Sequence, residues 1–154
     1  MSQINWLINF LRPHRTIPQV PWSAANRWDL NIQRVCILIF GLTIFGFGDA
    51  LLVQSHTGNA PWSVLAQGLS LKTGLNMGEA TFLISAVVLF FWWPLGERPG
   101  FGTISNIVVI AIAIQIGVSN FPIANHYAVG LIYDALGVML VGIGSALYIT
   151  CGLG

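Results

Sequence analysis

Charged side chains are scarce in this sequence. Only 7% of its 154 residues are Asp, Glu, Lys or Arg, whereas soluble domains carry roughly 25%. So few charges cannot cover a water-exposed surface, which argues against a soluble globular protein. The net charge of +1 also argues against nucleic-acid binding, because no basic stripe is present to meet a phosphate backbone.

Cysteine and histidine are equally rare. Cys36 and Cys151 fall inside apolar segments, and no C-x-x-C pair or histidine spacing suits a metal. We interpret both as buried thiols, and we expect no metal site and no cofactor. No nucleophile and base pair or phosphate-binding glycine loop is apparent either, so we expect no enzyme and name no catalytic residue.

Apolar runs dominate the chain, with 55% hydrophobic residues and a mean hydropathy of +0.76. We predict an all-α integral membrane protein with about four transmembrane helices. The first predicted span has 20 residues, and at about 1.5 Å per residue it covers the hydrocarbon core of roughly 30 Å. The predicted spans are about residues 35–54, 78–95, 103–120 and 129–150, within a transmembrane domain of residues 35–154.

Residues 1–34 are predicted to form a cytoplasmic or interfacial N-terminal segment. Ile4, Leu7, Ile8 and Leu11 repeat at helical spacing, which predicts a short helix in the membrane interface. A frayed tail has nearly the same composition.

The distribution of Lys and Arg predicts the orientation. Four arginines precede the first span and a fifth lies between spans two and three, whereas Lys72 follows span one: Arg12, Arg15, Arg27, Arg34 and Arg98. Because positive residues concentrate on the cytoplasmic side, we expect both termini on the cytoplasmic side of a bacterial plasma membrane. The turn holding Glu97 and Arg98 is then cytoplasmic, and we interpret it as a rigid solvated corner.

Residues 58–71 do not resemble an ordinary loop. This stretch is too short to span a membrane and too apolar for water, which predicts a re-entrant or interfacial half-helix after Gly58. Pro61 suits its first turn, and Trp62 suits an anchor at the external interface. An external amphipathic helix that covers the bundle is the alternative.

The first and fourth spans share a glycine pattern. At an offset of 96 residues, each of five positions in span one meets its counterpart in span four: Gly41, Gly46, Gly48, Ala50 and Leu51 against Gly137, Gly142, Gly144, Ala146 and Leu147. The repeat unit would hold three spans, so its second copy must enter the membrane inverted. We predict a partial inverted three-helix repeat. The same offset lays Gly58 onto Gly154, which suggests a truncated six-span protein or a four-span protein that oligomerises.

Several motifs resemble a known bacterial family. The stretches at residues 48–55, 58–62, 94–103 and 142–148 are similar to those of the YczE/YyaS/YitT-like integral membrane proteins. The resemblance covers roughly residues 35–154 and implies two further spans after a Gly-Pro-Arg-Asp-Gly stretch, neither of which occurs here. The activity of that family is largely unassigned, so the resemblance informs architecture more than function.

Polar residues inside apolar spans are the candidate functional residues. Asp49 is the only charge of span one, and His56 can share its helix face, which suggests a proton-coupling or cation site. Alternatively, Asp49 accepts hydrogen bonds from the half-helix and only holds it in place. Glu79 and Asp134 open their spans, where a carboxylate suits the helix macrodipole.

Further polar positions complete a candidate path through the spans. Thr81 and Ser85 in span two and Asn106 with Gln115 in span three could line such a path, although hydrogen bonding between helices explains them equally well. The leading hypothesis is a transporter for a small molecule or an ion. The alternative is a non-transporting regulatory or accessory subunit. Membrane lipid is the expected surrounding, and a homo-oligomer is compatible with the sequence.

Overall fold

A computed structural model describes residues 19–154. The predicted interfacial helix at residues 4–11, with Arg12 and Arg15, lies outside the described residues. Five helices and no strand occur between residues 19 and 154, in the order α1 (Ile32–Ser55), α2 (Pro61–Thr73), α3 (Met77–Trp92), α4 (Phe101–Asn120) and α5 (Tyr127–Thr150). The predicted all-α membrane architecture is confirmed.

Three of these helices can each cross a membrane. By length and composition α1, α4 and α5 qualify singly, whereas α2 and α3 qualify only together, as a pair bent by 114°. The chain therefore carries three spans, or up to four if the bent pair counts as one. A broken pair is what a re-entrant segment followed by a short span produces.

The predicted span at residues 78–95 needs a correction. Helix α3 has 16 residues and ends at Trp92, so it rises by roughly 24 Å, less than a hydrocarbon core of roughly 30 Å. A tight turn ends the helix early, because Leu95 N–H donates to the Trp92 carbonyl and Gly96 adopts a φ of +74°.

Helix α1 packs closely against α5 through glycines. A Cβ placed on Gly48 would lie 2.8 Å from the carbonyl oxygen of Gly137, and one on Gly144 would lie 2.6 Å from that of Gly41. Only glycine permits such an approach of two helix backbones. These contacts give the four glycines a packing role. They also show that the two helices run antiparallel.

Helix α2 lies against α1 rather than apart from the bundle. Pro61 begins the helix, and its buried residues are Ser63 and Ala66. Ala66 packs with Ala50 and with Val53 of α1 in one apolar cluster. The predicted half-helix at residues 58–71 is therefore helical from residue 61 to residue 73, and it is held by the bundle.

The chain after α5 folds back against the segment that precedes α1 and against the start of α4. The Cys151 carbonyl accepts from Ala24 N–H at 2.8 Å, and the Leu153 carbonyl accepts from Gly102 N–H at 2.7 Å. Leu153 is fully buried. These bonds satisfy backbone groups at the end of α5.

The two thiols differ in burial. Cys151 is buried as predicted, but Cys36 is exposed, so its interpretation as a buried thiol is wrong. Cys36 lies one turn before Phe40, whose side chain is also exposed. Residues four apart share a helix face, and this face of α1 points away from the other described helices, which leaves it available to lipid.

Candidate functional site

A cavity of about 440 Å³ lies between α2, α3, α4 and α5. Two indole rings line it, from Trp62 on α2 and Trp92 on α3. Among residues 19–154, no charged side chain lines it. Four polar side chains and a set of apolar or glycine residues complete the wall: Ser85, Thr103, Asn106 and Tyr148, with Val88, Leu89, Gly102, Ile107, Ile149, Gly152 and Gly154.

The packing of α3 on α4 determines which of their polar side chains lie opposite each other at the cavity. A Cβ on Gly78 would lie 2.5 Å from the Ala111 carbonyl and 2.7 Å from the Cβ of Gln115. Running the two helices antiparallel from this contact places Ser85 opposite Asn106. The structure therefore brings together two residues that the sequence singled out separately, and both line the cavity.

Two other polar side chains in the apolar helices form local hydrogen bonds. The hydroxyls of Thr43 and Thr81 each donate to the carbonyl four residues earlier. That local bond is the usual one for a polar residue inside an apolar helix.

In the part of the chain that the structure describes, the side chains of four cavity residues make no hydrogen bond with protein: Ser85, Thr103, Asn106 and Tyr148. A polar group removed from water without a partner costs roughly 1–3 kcal/mol. Their hydrogen-bonding capacity is therefore available to a solute or to water in the cavity.

Asp49 does not line this cavity, although it lies directly behind its wall. The carboxylate is buried, with 6% of the residue exposed, and its Oδ1 accepts a hydrogen bond of 2.8 Å from the Ser63 hydroxyl. Ser63 follows Trp62 on α2. Asp49 thus joins α1 to the turn of α2 that presents Trp62 to the cavity.

The structure does not bring His56 to Asp49. Helix α1 ends at Ser55, and His56 is its C-cap, with a left-handed φ of 54° and an exposed side chain. The helical spacing between residues 49 and 56 is therefore broken before it reaches the histidine. The predicted partnership of the two residues is wrong.

Glu79 forms part of a helix cap. The Asn76 side chain accepts from Glu79 N–H, and the Glu79 carboxylate accepts from Asn76 N–H, each at 2.9 Å. This reciprocal capping box satisfies two donors at the start of α3. Glu79 does not line the cavity.

Asp134 lies deeper in its helix than the sequence suggested. Helix α5 begins at Tyr127, so Asp134 stands two turns in, beyond the first turn where the macrodipole acts. Its Oδ2 accepts a hydrogen bond from the Thr57 hydroxyl. Asp134 therefore ties the connection between α1 and α2 to α5, and its expected role at the helix start needs this correction.

The remaining candidate residues lie outside the cavity. Gly58 is exposed in the connection before α2, and Pro61 is the first residue of that helix. Glu97 and Arg98 are exposed and border a separate groove beside Trp93. The Arg98 carbonyl accepts a hydrogen bond from the Arg27 guanidinium, so this turn packs on the segment that precedes α1.

Sequence reasoning missed Thr103, Tyr148 and Gln54. Thr103 comes three residues before Asn106, a helical spacing that could have revealed it. Tyr148 reaches the cavity only through the packing of α5, for which no local signal exists. The buried Gln54 side chain donates to the carbonyls of Val118 and Phe121 at 2.7 and 2.8 Å, so it caps the end of α4.

The sequence of this chain matches a known protein family. The matching family model is described as a family of unknown function, DUF6198, and it covers residues 32–154. The chain belongs to this family. All five helices and every residue that lines the cavity fall within the range matched by the DUF6198 model.

Similar proteins occur in two bacteria. A Haemophilus influenzae protein is 40% identical over 91% of this chain and 64% of its own length. Two Bacillus subtilis proteins, the membrane protein YczE and YyaS, are 30% and 31% identical over 83% and 71% of this chain. The chain spans 57% and 56% of their lengths. No solved structure matches it.

Proposed function

We propose that this DUF6198 protein transports a small molecule across the bacterial plasma membrane. Its binding site is the cavity between α2, α3, α4 and α5. One observation carries the proposal, namely that four polar side chains with no partner among residues 19–154 face a cavity inside apolar helices: Ser85, Thr103, Asn106 and Tyr148. Polar groups are expensive within a membrane, and they typically mark a substrate path. Pockets of roughly 300–1,000 Å³ are typical of small-molecule sites.

Contacts between α1 and α5 support an inverted repeat. Gly41 approaches Gly144, and Gly48 approaches Gly137. At the repeat offset of 96 residues, Gly41 corresponds to Gly137 and Gly48 corresponds to Gly144. Both contacts belong to one antiparallel register of α1 and α5, and an antiparallel arrangement is what a two-fold axis between inverted repeats requires.

A second pair of contacts belongs to the same register. A Cβ on Gly130 would lie 2.8 Å from the Ser55 carbonyl oxygen, and the Cys151 thiol lies 3.7 Å from the Arg34 carbonyl oxygen. The repeat offset carries Ser55 onto Cys151 and Arg34 onto Gly130. The antiparallel register of α1 and α5 thus extends over both ends of the two helices. Transporters commonly bind substrate between such repeats.

The distribution of arginine supports a cytoplasmic position for the cavity. Arg27 and Arg98 meet at the end of the bundle where α3 ends and α4 begins, and Arg34 lies in the first turn of α1 at the same end. Lys72 lies in the last turn of α2. The positive-inside rule then assigns the arginine-rich end to the cytoplasm, and Trp92 and Thr103 place the cavity near that end.

Asp49 has a positioning role in this proposal. Its bond to Ser63 holds the first turn of α2, so it fixes Trp62 at the cavity wall without touching the substrate. This role needs no proton transfer through His56.

Counterflow exchange tests the transport proposal. The purified chain is placed in liposomes, and exchange is measured for nicotinamide, uridine, glucose, leucine, nicotinate and rubidium ion. We expect saturable exchange of at least one solute, faster than in protein-free liposomes, and reduced by Ser85→Trp, which fills the cavity. Trp93→Leu is the control, because Trp93 lies outside the cavity. If no solute exchanges above the protein-free rate, a non-transporting regulatory or accessory role replaces this proposal.

A further inference from the structure

We infer that the cavity binds an uncharged, planar heteroaromatic molecule that carries an amide or similar hydrogen-bonding group. The inference rests on the proposed function, since it names the substrate class of the same site. It depends on three properties of the cavity wall: the absence of charged side chains, the two indole rings, and the polar residues that face each other across the space.

The first property is the absence of charged side chains among the described residues of the wall. Within residues 19–154, the wall contains hydroxyl, amide, aromatic and aliphatic side chains but no Asp, Glu, Lys, Arg or His side chain. An ion that leaves water for such a space loses hydration energy that no opposite charge restores. Asp49 does not line the cavity, and its carboxylate accepts a hydrogen bond from Ser63 on α2. A charged substrate is therefore disfavoured.

The second property is the pair of indole rings. Trp62 belongs to the broken segment and Trp92 to the end of α3, so two different elements contribute large flat surfaces to one cavity. Aromatic side chains prefer offset-stacked or edge-to-face contacts with other aromatic rings. Trp92 makes no ring contact with another aromatic residue within residues 19–154, and neither does Trp62. Their faces are therefore available to a ligand ring.

The third property is the chemistry of the polar residues. The Asn106 amide offers both donors and an acceptor, and Ser85 opposite it offers one hydroxyl. A primary or cyclic amide on the ligand can form two hydrogen bonds with the Asn106 side chain. A solute without hydrogen-bonding groups would leave these groups unpaired, which strongly disfavours it. The combination selects a flat neutral ring that carries an amide.

Nicotinamide and nicotinate form a matched pair of probes, because they share a ring and differ in the charge of one substituent. Equilibrium dialysis of the full chain in lipid nanodiscs measures the binding of each, with uridine as a second neutral heteroaromatic amide. We expect saturable binding of nicotinamide or uridine, and binding of nicotinate that is at least tenfold weaker.

Variants of the wall test the assignment residue by residue. Asn106→Leu keeps the side-chain size and removes the amide, so binding of the neutral probe should weaken by about tenfold. Trp62→Leu should weaken it similarly, whereas Trp62→Phe retains an aromatic ring and should weaken it less. Trp93→Leu, at a side chain that is 84% exposed and outside the cavity, should leave binding unchanged.

Failure of this inference can be distinguished from failure of the transport proposal. Saturable binding of nicotinamide or uridine that Asn106→Leu weakens, with no counterflow, supports the substrate class and removes transport. Counterflow of nicotinate or rubidium ion alone supports transport and overturns the substrate class. Equal binding of nicotinate and nicotinamide overturns it, and so does the absence of saturable binding by both neutral probes. An unchanged affinity in Asn106→Leu overturns the role of that residue and the amide preference that rests on it.

Discussion

At the scale of single residues, burial and bonding separate two kinds of polar side chain. Asp49, Gln54 and Ser63 are buried, and each is bonded to another helix or to its end. Ser85 and Asn106 are half-buried and face the cavity, and neither side chain has a hydrogen-bond partner in the described part of the chain. The first group holds helices together, and the second group is available for recognition.

The bond between Asp49 and Ser63 predicts how substitutions at residue 49 behave. Asp49→Asn keeps a carbonyl oxygen that can accept from the Ser63 hydroxyl, so we expect a melting temperature close to that of the unmodified chain. Asp49→Leu leaves this buried hydroxyl without an acceptor and should lower the free energy of unfolding by about 1–3 kcal/mol. Thermal denaturation in detergent measures both.

A double substitution provides the control for this prediction. Adding Ser63→Ala to Asp49→Leu removes the orphaned hydroxyl, so part of the lost stability should return. Equal melting temperatures for Asp49→Leu and the unmodified chain would show that the bond contributes nothing. In counterflow, Asp49→Asn should retain exchange, because we assign Asp49 a positioning role. Loss of exchange in a well-folded Asp49→Asn would instead favour direct participation of the carboxylate.

At the scale of helices, the contact between α1 and α5 depends on the absence of side chains. Gly41 and Gly48 of α1 meet Gly144 and Gly137 of α5 at distances that no Cβ can occupy. Dispersion contacts between backbones at such short range are a main source of helix association in lipid, where burial of apolar surface gives little advantage.

Gly48→Ala tests this contact. The added methyl group would lie 2.8 Å from the Gly137 carbonyl oxygen and 2.9 Å from the Cβ of Leu140, so the helices must separate. We expect a loss of about 1–3 kcal/mol in the free energy of unfolding, measured by denaturation in mixed micelles.

Gly142→Ala is the matched control, because Gly142 lies on α5 but has no atom within 4 Å of an added Cβ. It should be neutral or stabilise the chain by up to about 1 kcal/mol through higher helix propensity. Equal effects of Gly48→Ala and Gly142→Ala would contradict the close packing of α1 on α5.

At the scale of the whole molecule, three arginines gather at one end of the bundle and Lys72 lies in the last turn of α2. This asymmetry predicts that the turn holding Glu97 faces the cytoplasm and that Lys72 faces the outside. Cysteine accessibility in intact cells measures it, in a Cys36→Ser background because the native Cys36 thiol is exposed. Lys72→Cys should react with a membrane-impermeant maleimide, and Glu97→Cys should react only after permeabilisation. The reverse pattern would invert the proposed orientation.

Local composition was sufficient to predict most of the helices. The spans expected at residues 35–54, 103–120 and 129–150 correspond to α1, α4 and α5 within a few residues. Long apolar runs and their polar boundaries are properties of neighbouring residues. The half-helix was also predicted from its length and composition, whereas the early end of α3 depends on a turn around Gly96 with positive φ.

The candidate site was predictable only in part. Ser85 and Asn106 were singled out as polar residues in apolar segments, whereas Trp62 was predicted to be an anchor at the external interface. The structure brings all three to one cavity. Asp49 stood out even more, yet it lies behind the wall. The contacts of Asp49 depend on the face of α1 on which it lies, and not on its polarity.

The sequence by itself determined the membrane environment, the helical class and the glycine pattern shared by α1 and α5, because hydropathy and periodicity are written along the chain. Tertiary structure alone decided that His56 leaves the helix before it can meet Asp49, that Asp134 binds Thr57, and that Tyr148 joins the cavity. The physical reason is that each of these outcomes depends on the direction in which a helix ends or on the register in which two helices pack. Both are set by contacts between residues far apart in the chain.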